Sequence, residues 1–340
     1  MYFLRLSLLI FSAFTFGYSL FYIFGTNFEK MSNFLIKCYL AGFIFGLIIF
    51  IVFPDSELFW LFLQQYGIDF KGDPHQYRYI STYLDPNYYS VIACIPFLLS
   101  LYLFGKSKRL PYFFISLIFV FSIFLSGSRS GLATWIALVI FIILQSLKSW
   151  RFGYLNNSNL LLNFVIFFIP IILTPIFVPF IFKVANRIGS MGNDESALAR
   201  LISFKLGIDI FSENPIMGIG YNYLALITEK VNEMSSVDSS LLSLLINFGI
   251  ILSFLLILLL SYFLRRLFYK THFYRLKDKY LDKFFFQLLF YIVIVTLFSS
   301  QFNNLLFYQF WLFPLVSILS FFSFFPKSAT PCQISQSMSG

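Results

Sequence analysis

Asp, Glu, Lys and Arg are spread so unevenly along this chain that the gaps between them outline its elements. Charge-free runs occupy residues 6–28, 38–54, 86–105, 110–128, 130–147, 152–182, 239–264 and 284–326. A helix crossing the hydrocarbon core of a bilayer needs about 20 apolar residues. Each run of 17 to 26 residues therefore holds one helix. Run 152–182 opens on a polar stretch from Asn156 to Asn159 and carries Pro170, Pro175 and Pro179, which predicts one kinked or long helix. Run 284–326 is too long for one span, and Ser299-Ser300-Gln301-Phe302-Asn303-Asn304 divides it in two. The pattern predicts an all-α fold: a polytopic transmembrane helix bundle of about nine spans, one integral membrane domain over residues 1–340.

Composition excludes the alternative of a water-soluble core. The chain is 59% hydrophobic and only 11% charged, against about 25% charged in a typical soluble domain. Its 50 Phe residues are scattered through Leu and Ile runs, as suits a lipid-facing surface. The charges then give orientation, because Lys and Arg concentrate in cytoplasmic loops. Lys106, Lys108 and Arg109, then Lys148 and Arg151, then seven Lys or Arg from Arg265 to Lys283 mark three such loops, the last at 265–283. Alternation puts residues 54–85, 126–131, 184–238 and 299–304 outside and the polar tail 327–340 inside. The outer set with Arg5 and Lys183 carries net −3 and the inner set +12, together the chain's +9. Basicity therefore reports topology, and nucleic acid is not needed to explain it. Nine spans with a cytoplasmic C-terminus put the N-terminus outside, unless the count near residues 25–37 is off by one. The first hydrophobic run continues into further spans, so it is not a cleavable signal. Cys38, Cys94 and Cys332 offer neither a metal-ligand spacing nor an evident disulfide.

Candidate chemistry gathers in the outer loops. Leu58 to Ile68 is too short to span and predicts an interfacial helix with Trp60 at headgroup depth. A polar stretch containing Asp69, Lys71, Asp73, His75 and Arg78 follows, and Asp85-Pro86 is a helix start signal, for which capping alone would account for Asp85. The turn Ser126-Gly127-Ser128-Arg129-Ser130-Gly131 sets Arg129 as the sole charge in residues 110–147. An arginine at such depth is costly unless it snorkels or meets an anion. The serines and glycines around it suit phosphate oxygens. In the second large loop, Ala197, Leu201, Phe204, Ile208 and Phe211 form one apolar helical stripe with Glu195, Lys205, Asp209 and Glu213 opposite. Arg187 precedes this helix and Arg200 edges its stripe, positioned to reach inward. Asn214-Pro215 stops the helix, and Gly218 and Gly220 form a turn. Asp238 stands at the N-cap position before Ser239-Ser240-Leu241-Leu242.

Three pieces occur in one order and topology: Arg78 to Asn87, the 126–131 turn, and Arg200 followed by Asn214-Pro215-Ile216-Met217-Gly218-Ile219-Gly220. Together they resemble the bacterial O-antigen polymerase and ligase superfamily over residues 78–250. The resemblance implies a GT-C type glycosyltransferase of the bacterial inner membrane, acting at the periplasmic face on undecaprenyl-diphosphate-linked oligosaccharides as donor and acceptor. It implies that Arg129 and Arg200, with Arg187, Arg78 and Ser128 behind them, act on the donor diphosphate. It also leaves room for a chain-length regulator protein as partner. The ligase branch carries a histidine where Asp238 stands here, a departure that favours polymerisation.

The chemistry of such a transfer agrees with these residues. A lipid diphosphate is already a good leaving group, and guanidiniums stabilise its growing charge without nucleotide, metal or other cofactor. The acceptor hydroxyl still needs a base, for which Asp238 comes first, then Asp85 and His75. An inverting in-line displacement is expected. Three other readings stand beside it: a ligase to lipid A core, a flippase of the same lipid-linked sugar, and a metal-dependent enzyme using Asp55-Ser56-Glu57.

Overall fold

A computed structural model describes residues 2–25, 27–68, 75–83, 85–151, 195–220, 237, 239–277, 283–301, 303–304 and 308–324. Their elements are the helices α1 (Tyr2–Phe24), α2 (Phe28–Val52), α3 (Ser56–Gln65), α4 (Pro86–Ile92), α5 (Cys94–Ser107), α6 (Leu110–Ser126), α7 (Arg129–Arg151), α8 (Glu195–Glu213), α9 (Ser240–Lys277), α10 (Lys283–Ser299) and α11 (Gln309–Ser323), with a 3₁₀ turn at Ser81–Tyr83. The chain is helical, with no strand among the described residues, as the hydrophobic pattern predicts. Leu6–Phe24, Phe28–Val52, Pro86–Ser107 and Ser240–Tyr262 are long and apolar enough to cross a membrane, and Leu110–Ser126, Arg129–Leu144, Phe290–Ser299 and Phe310–Phe321 are shorter apolar helices. The predicted span in 152–182 lies outside the described residues.

Local chemistry sets the boundaries. Asn27 accepts the Lys30 N–H at 3.0 Å and starts α2 at Phe28, ten residues before the charge-free run begins, since a helix can carry Glu29, Lys30 and Lys37 at its polar end. α4 and α5 are one span interrupted at Ala93. Pro96 lacks the N–H that Ile92 would accept, which explains the break. Gly127 closes α6 in the left-handed conformation (φ 58°).

The α4–α5 span is the axis of the bundle. Of its most apolar window 83% is buried, against 17% and 11% for the two N-terminal spans, whose outward side chains suit lipid. Around it pack α2, α6, α7 and α10, with Tyr79, Phe97, Phe119, Leu138 and Ile292 in one continuous core. Small residues permit the closest approaches: a Cβ on Gly46 would meet Ser81, and one on Gly131 would meet the Ser90 side chain.

The two predicted sides separate at opposite ends. Loops assigned to the outer side come together around the start of α4, the α6–α7 turn, the start of α9 and the α10–α11 turn. At the other end Lys106 pairs with Glu29 at 3.2 Å and Tyr112 donates to Asn33 Oδ1 at 3.4 Å.

Three features add to the sequence pattern. Trp60, on α3, is 5% exposed. On α8, Leu201 and Ile208 are 68% and 56% exposed, and the face against α9 runs through Gly207, Ile210 and Phe211. Where lipid is an alternative partner, an apolar stripe need not face protein, and the small Gly207 lets the helices close instead. The span over 239–264 is not one straight helix: Gly249 leaves helical geometry (φ 67°, ψ −178°). The Asn214–Gly220 turn docks into that kink through main-chain bonds, Ile219 N to Ile246 O at 2.8 Å, Gly220 N to Asn247 O at 3.0 Å and Ile250 N to Pro215 O at 2.8 Å.

Candidate functional site at the outer end of the bundle

Ser128 caps α7. Its hydroxyl accepts the Gly131 N–H at 3.1 Å, as an N-cap serine should, and donates to Asn87 Oδ1 at 2.9 Å. The side chain is fully buried, so it shapes the turn and holds it on α4. Arg129 follows as the first residue of α7, half-buried. Its position sets it at a helix N-terminus, where the helix dipole favours an anion.

Arg78 supports this turn from below. Its Nε donates to the Ser126 carbonyl at 2.9 Å and its Nη2 to Asn87 Oδ1 at 3.3 Å. Its Nη1 lies 3.4 Å from His75 Nδ1. Because a guanidinium only donates, His75 Nδ1 is the acceptor there and the ring proton sits on Nε2. His75 is buried, and its backbone N–H is held by Ser56 Oγ at 2.7 Å. Arg78, His75, Asn87 and the 126–131 turn are thus one connected polar group, although the sequence separates them by up to about fifty positions.

Asp85 caps α4, taking the N–H groups of Asn87 at 2.6 Å and Tyr88 at 3.3 Å on Oδ1. Its capping role is therefore real. Beside it Tyr308 stacks on Tyr88 with ring centroids 3.7 Å apart and donates to the Tyr83 carbonyl at 2.7 Å. Burial first, then the neighbouring Asp85 charge, pushes the Tyr308 phenol well above its ordinary value. Asp55 caps α3 through the Glu57 N–H at 2.9 Å.

The network continues across the bundle by residues that sequence reasoning treated only as a span break. Asn303 Nδ2 donates to Ser130 Oγ and to Ser299 Oγ, each at 3.2 Å. Its main-chain carbonyl accepts the Ser240 hydroxyl at 3.1 Å, and the Ser240 N–H donates to the Ser300 carbonyl at 2.9 Å. A polar hexapeptide inside 43 uncharged residues was the available signal.

Asp238 and Arg187 lie outside the described residues. Ser239 caps α9: its Oγ accepts the Leu242 N–H at 3.3 Å, three positions on. Arg200 lies in α8.

Comparison with known proteins adds one match. Residues 113–257 fit the family model described as O-antigen ligase, a stretch that contains the 126–131 turn, α7, α8 and the kinked half of α9. No curated protein and no solved structure matches the chain.

Proposed function

Residues 113–257 belong to the O-antigen polymerase and ligase superfamily, and from that premise we propose that the chain is a polysaccharide polymerase. It joins undecaprenyl-diphosphate-linked repeat units at the periplasmic face of the inner membrane, with lipid diphosphate as the leaving group. The observation that carries the reading is the polar group at one end of an otherwise apolar bundle, where half-buried Arg129 opens α7 on a turn braced by Arg78.

In this reading Arg129 and Arg200, with Arg187, neutralise the diphosphate as the glycosidic oxygen leaves. The N–H groups at the start of α7 add to that field. Arg78, whose three nitrogens all bond within the protein, holds the turn. The acceptor hydroxyl attacks the anomeric carbon from the opposite side, and its proton passes to Asp238. Asp85 and His75 are the lesser candidates, since Asp85 is engaged as a cap and His75 is buried against Arg78.

Purified protein supplied with a lipid-linked repeat unit should extend it, and Arg129→Ala and Arg200→Ala should each lower the rate by about 100-fold or more. Wild-type rates in both variants would overturn the diphosphate assignment. The matched family description keeps ligation to lipid A core as the second reading. A deletion strain separates the two. Loss of polymer with single units still attached identifies a polymerase, and accumulation of long lipid-linked polymer identifies a ligase.

A further inference from the structure

The turn between α10 and α11 does more than reverse the chain. Among the described residues of this outer end, Asn303 bonds to the starts of both α7 and α9. Its amide nitrogen reaches Ser130 Oγ at 3.2 Å, next to Arg129. Its main-chain carbonyl takes the Ser240 hydroxyl at 3.1 Å, two residues beyond Asp238. The adjacent Ser300 carbonyl accepts the Ser240 N–H at 2.9 Å, so the first turn of α9 is fixed in two directions. On the α7 side, Ser130 Oγ lies 3.2 Å from Ser128 Oγ, and Ser128 continues the chain to Asn87 and Arg78. Asn303 is itself 5% exposed, in a setting where hydrogen bonds are strong and a lost partner is costly.

Stability alone is a poor account of this turn. Two more of its polar atoms, Ser300 Oγ and Asn304 Oδ1, are buried with no hydrogen-bond partner among the described residues. Each costs about 1–3 kcal/mol relative to an apolar group of the same shape. A turn chosen only to join two spans would not carry them.

We infer that Asn303 is a positioning residue, which sets the first turn of α9 against the Arg129 turn at the start of α7. This rests on the glycosyl-transfer reading above, in which Asp238 and Arg129 act on opposite sides of one anomeric carbon. Such a pair is sensitive to spacing, since a displacement of about 1 Å between reacting groups costs about 100-fold in rate. Asn303 touches neither reactant. Removing its amide leaves both charged groups present but unregistered, so kcat falls and the substrate is still bound.

The test uses full-length protein in lipid nanodiscs with a lipid-linked repeat unit. Asn303→Asp keeps the size and the main chain but loses the amide donor, and Asn303→Ala loses the side chain. Both should lower kcat about 100-fold with KM changed less than about threefold. Ser130→Ala should reproduce most of the loss, and the Ser130→Ala, Asn303→Ala double variant should be no worse than Asn303→Ala alone. Rates in the Asn303 variants within about twofold of wild type would overturn the inference. So would fully multiplicative losses in the double variant. A second readout needs no activity. Spin labels on cysteines replacing Ile136 and Leu241, both exposed, in a background lacking the three native cysteines, report the α7–α9 distance. Asn303→Asp should broaden that distribution, and an unchanged one overturns the positioning role. If the wild type transfers no sugar at all, the reaction assigned above fails, and the distance measurement still decides whether Asn303 sets the two helices.

Discussion

Arg78 and Gly249 lie in two regions held together by opposite means. Around Arg78, side chains carry the order: a guanidinium, two asparagines and two serines connect α4, the α6–α7 turn and the α10–α11 turn. Around Gly249 the main chain carries it, with the Asn214–Gly220 turn bonded to the backbone of α9 on either side of the kink. The first region tolerates exchange of any residue that keeps its polar atoms. The second tolerates almost nothing with a Cβ, because Gly249 sits at φ 67° and a side chain there would enter the Ile216 carbonyl. The site thus has one flank set by hydrogen-bond chemistry and one set by space.

That contrast is broken most strongly at Gly249. Gly249→Ala adds left-handed backbone strain to a collision with main chain that cannot rotate away, a loss of about 2–6 kcal/mol. Gly220→Ala is the control: its φ is 98° but nothing lies within 4 Å of the added Cβ, so only the strain remains, about 1–3 kcal/mol. Thermal melts in detergent should rank the two in that order. Equal losses would mean that close packing at the kink contributes nothing. In Gly249→Ala, α8 should also lose its seat on α9, read as protease sensitivity between Glu213 and Gly220.

Arg78→Lys tests the other flank. Lysine keeps the charge but is a point donor and cannot serve Ser126, His75 and Asn87 together. The Ser126 carbonyl loses its bond and the 126–131 turn loosens, for about 1–3 kcal/mol. Activity should fall further than stability, since the turn places Arg129. A variant with wild-type turnover would show that the turn is rigid without its brace.

The two regions also differ in how far they could be read from sequence. An apolar run exposes its polar residues, so Arg129, Ser128, Arg78 and Asp85 stand out from the linear pattern alone. Their convergence is the long-range part, visible only when α4, α7 and the α10–α11 turn meet. Asn303 escaped because a polar hexapeptide between two spans is sufficiently explained as a loop. On the α8–α9 side the signal is glycine alone, and glycine in an apolar span means a close approach, a kink or nothing. Gly249 was therefore invisible within residues 239–264, and Gly218 and Gly220 looked like a plain turn. The stripe on α8 left its partner open for a third reason. Its periodicity identifies a helix but not which face meets protein, because lipid accepts Leu201 and Ile208 as readily as a neighbouring helix would.

The smallest expected effect lies at the edge of the side-chain region, where Tyr308 donates to the Tyr83 carbonyl and stacks on Tyr88. Tyr308→Phe keeps the stack and loses one hydrogen bond, about 1 kcal/mol. Its signature is in the pH dependence. Burial raises Tyr79 and Tyr83 from 10.0 to about 12, and raises Tyr308 well above 10.0 with help from the Asp85 charge. A phenol with a raised value in the folded state favours its neutral form there. Its contribution is therefore intact below pH 10 and is lost as pH climbs from 10 towards the folded value. Wild-type protein should lose melting temperature over that interval. Tyr308→Phe should start slightly lower and fall less steeply, because one of the phenols that resist ionisation is gone. Parallel curves for the two proteins would show that Tyr308 is open to water when the fold is intact, and that the stacked tyrosines do not seal the outer end of α4.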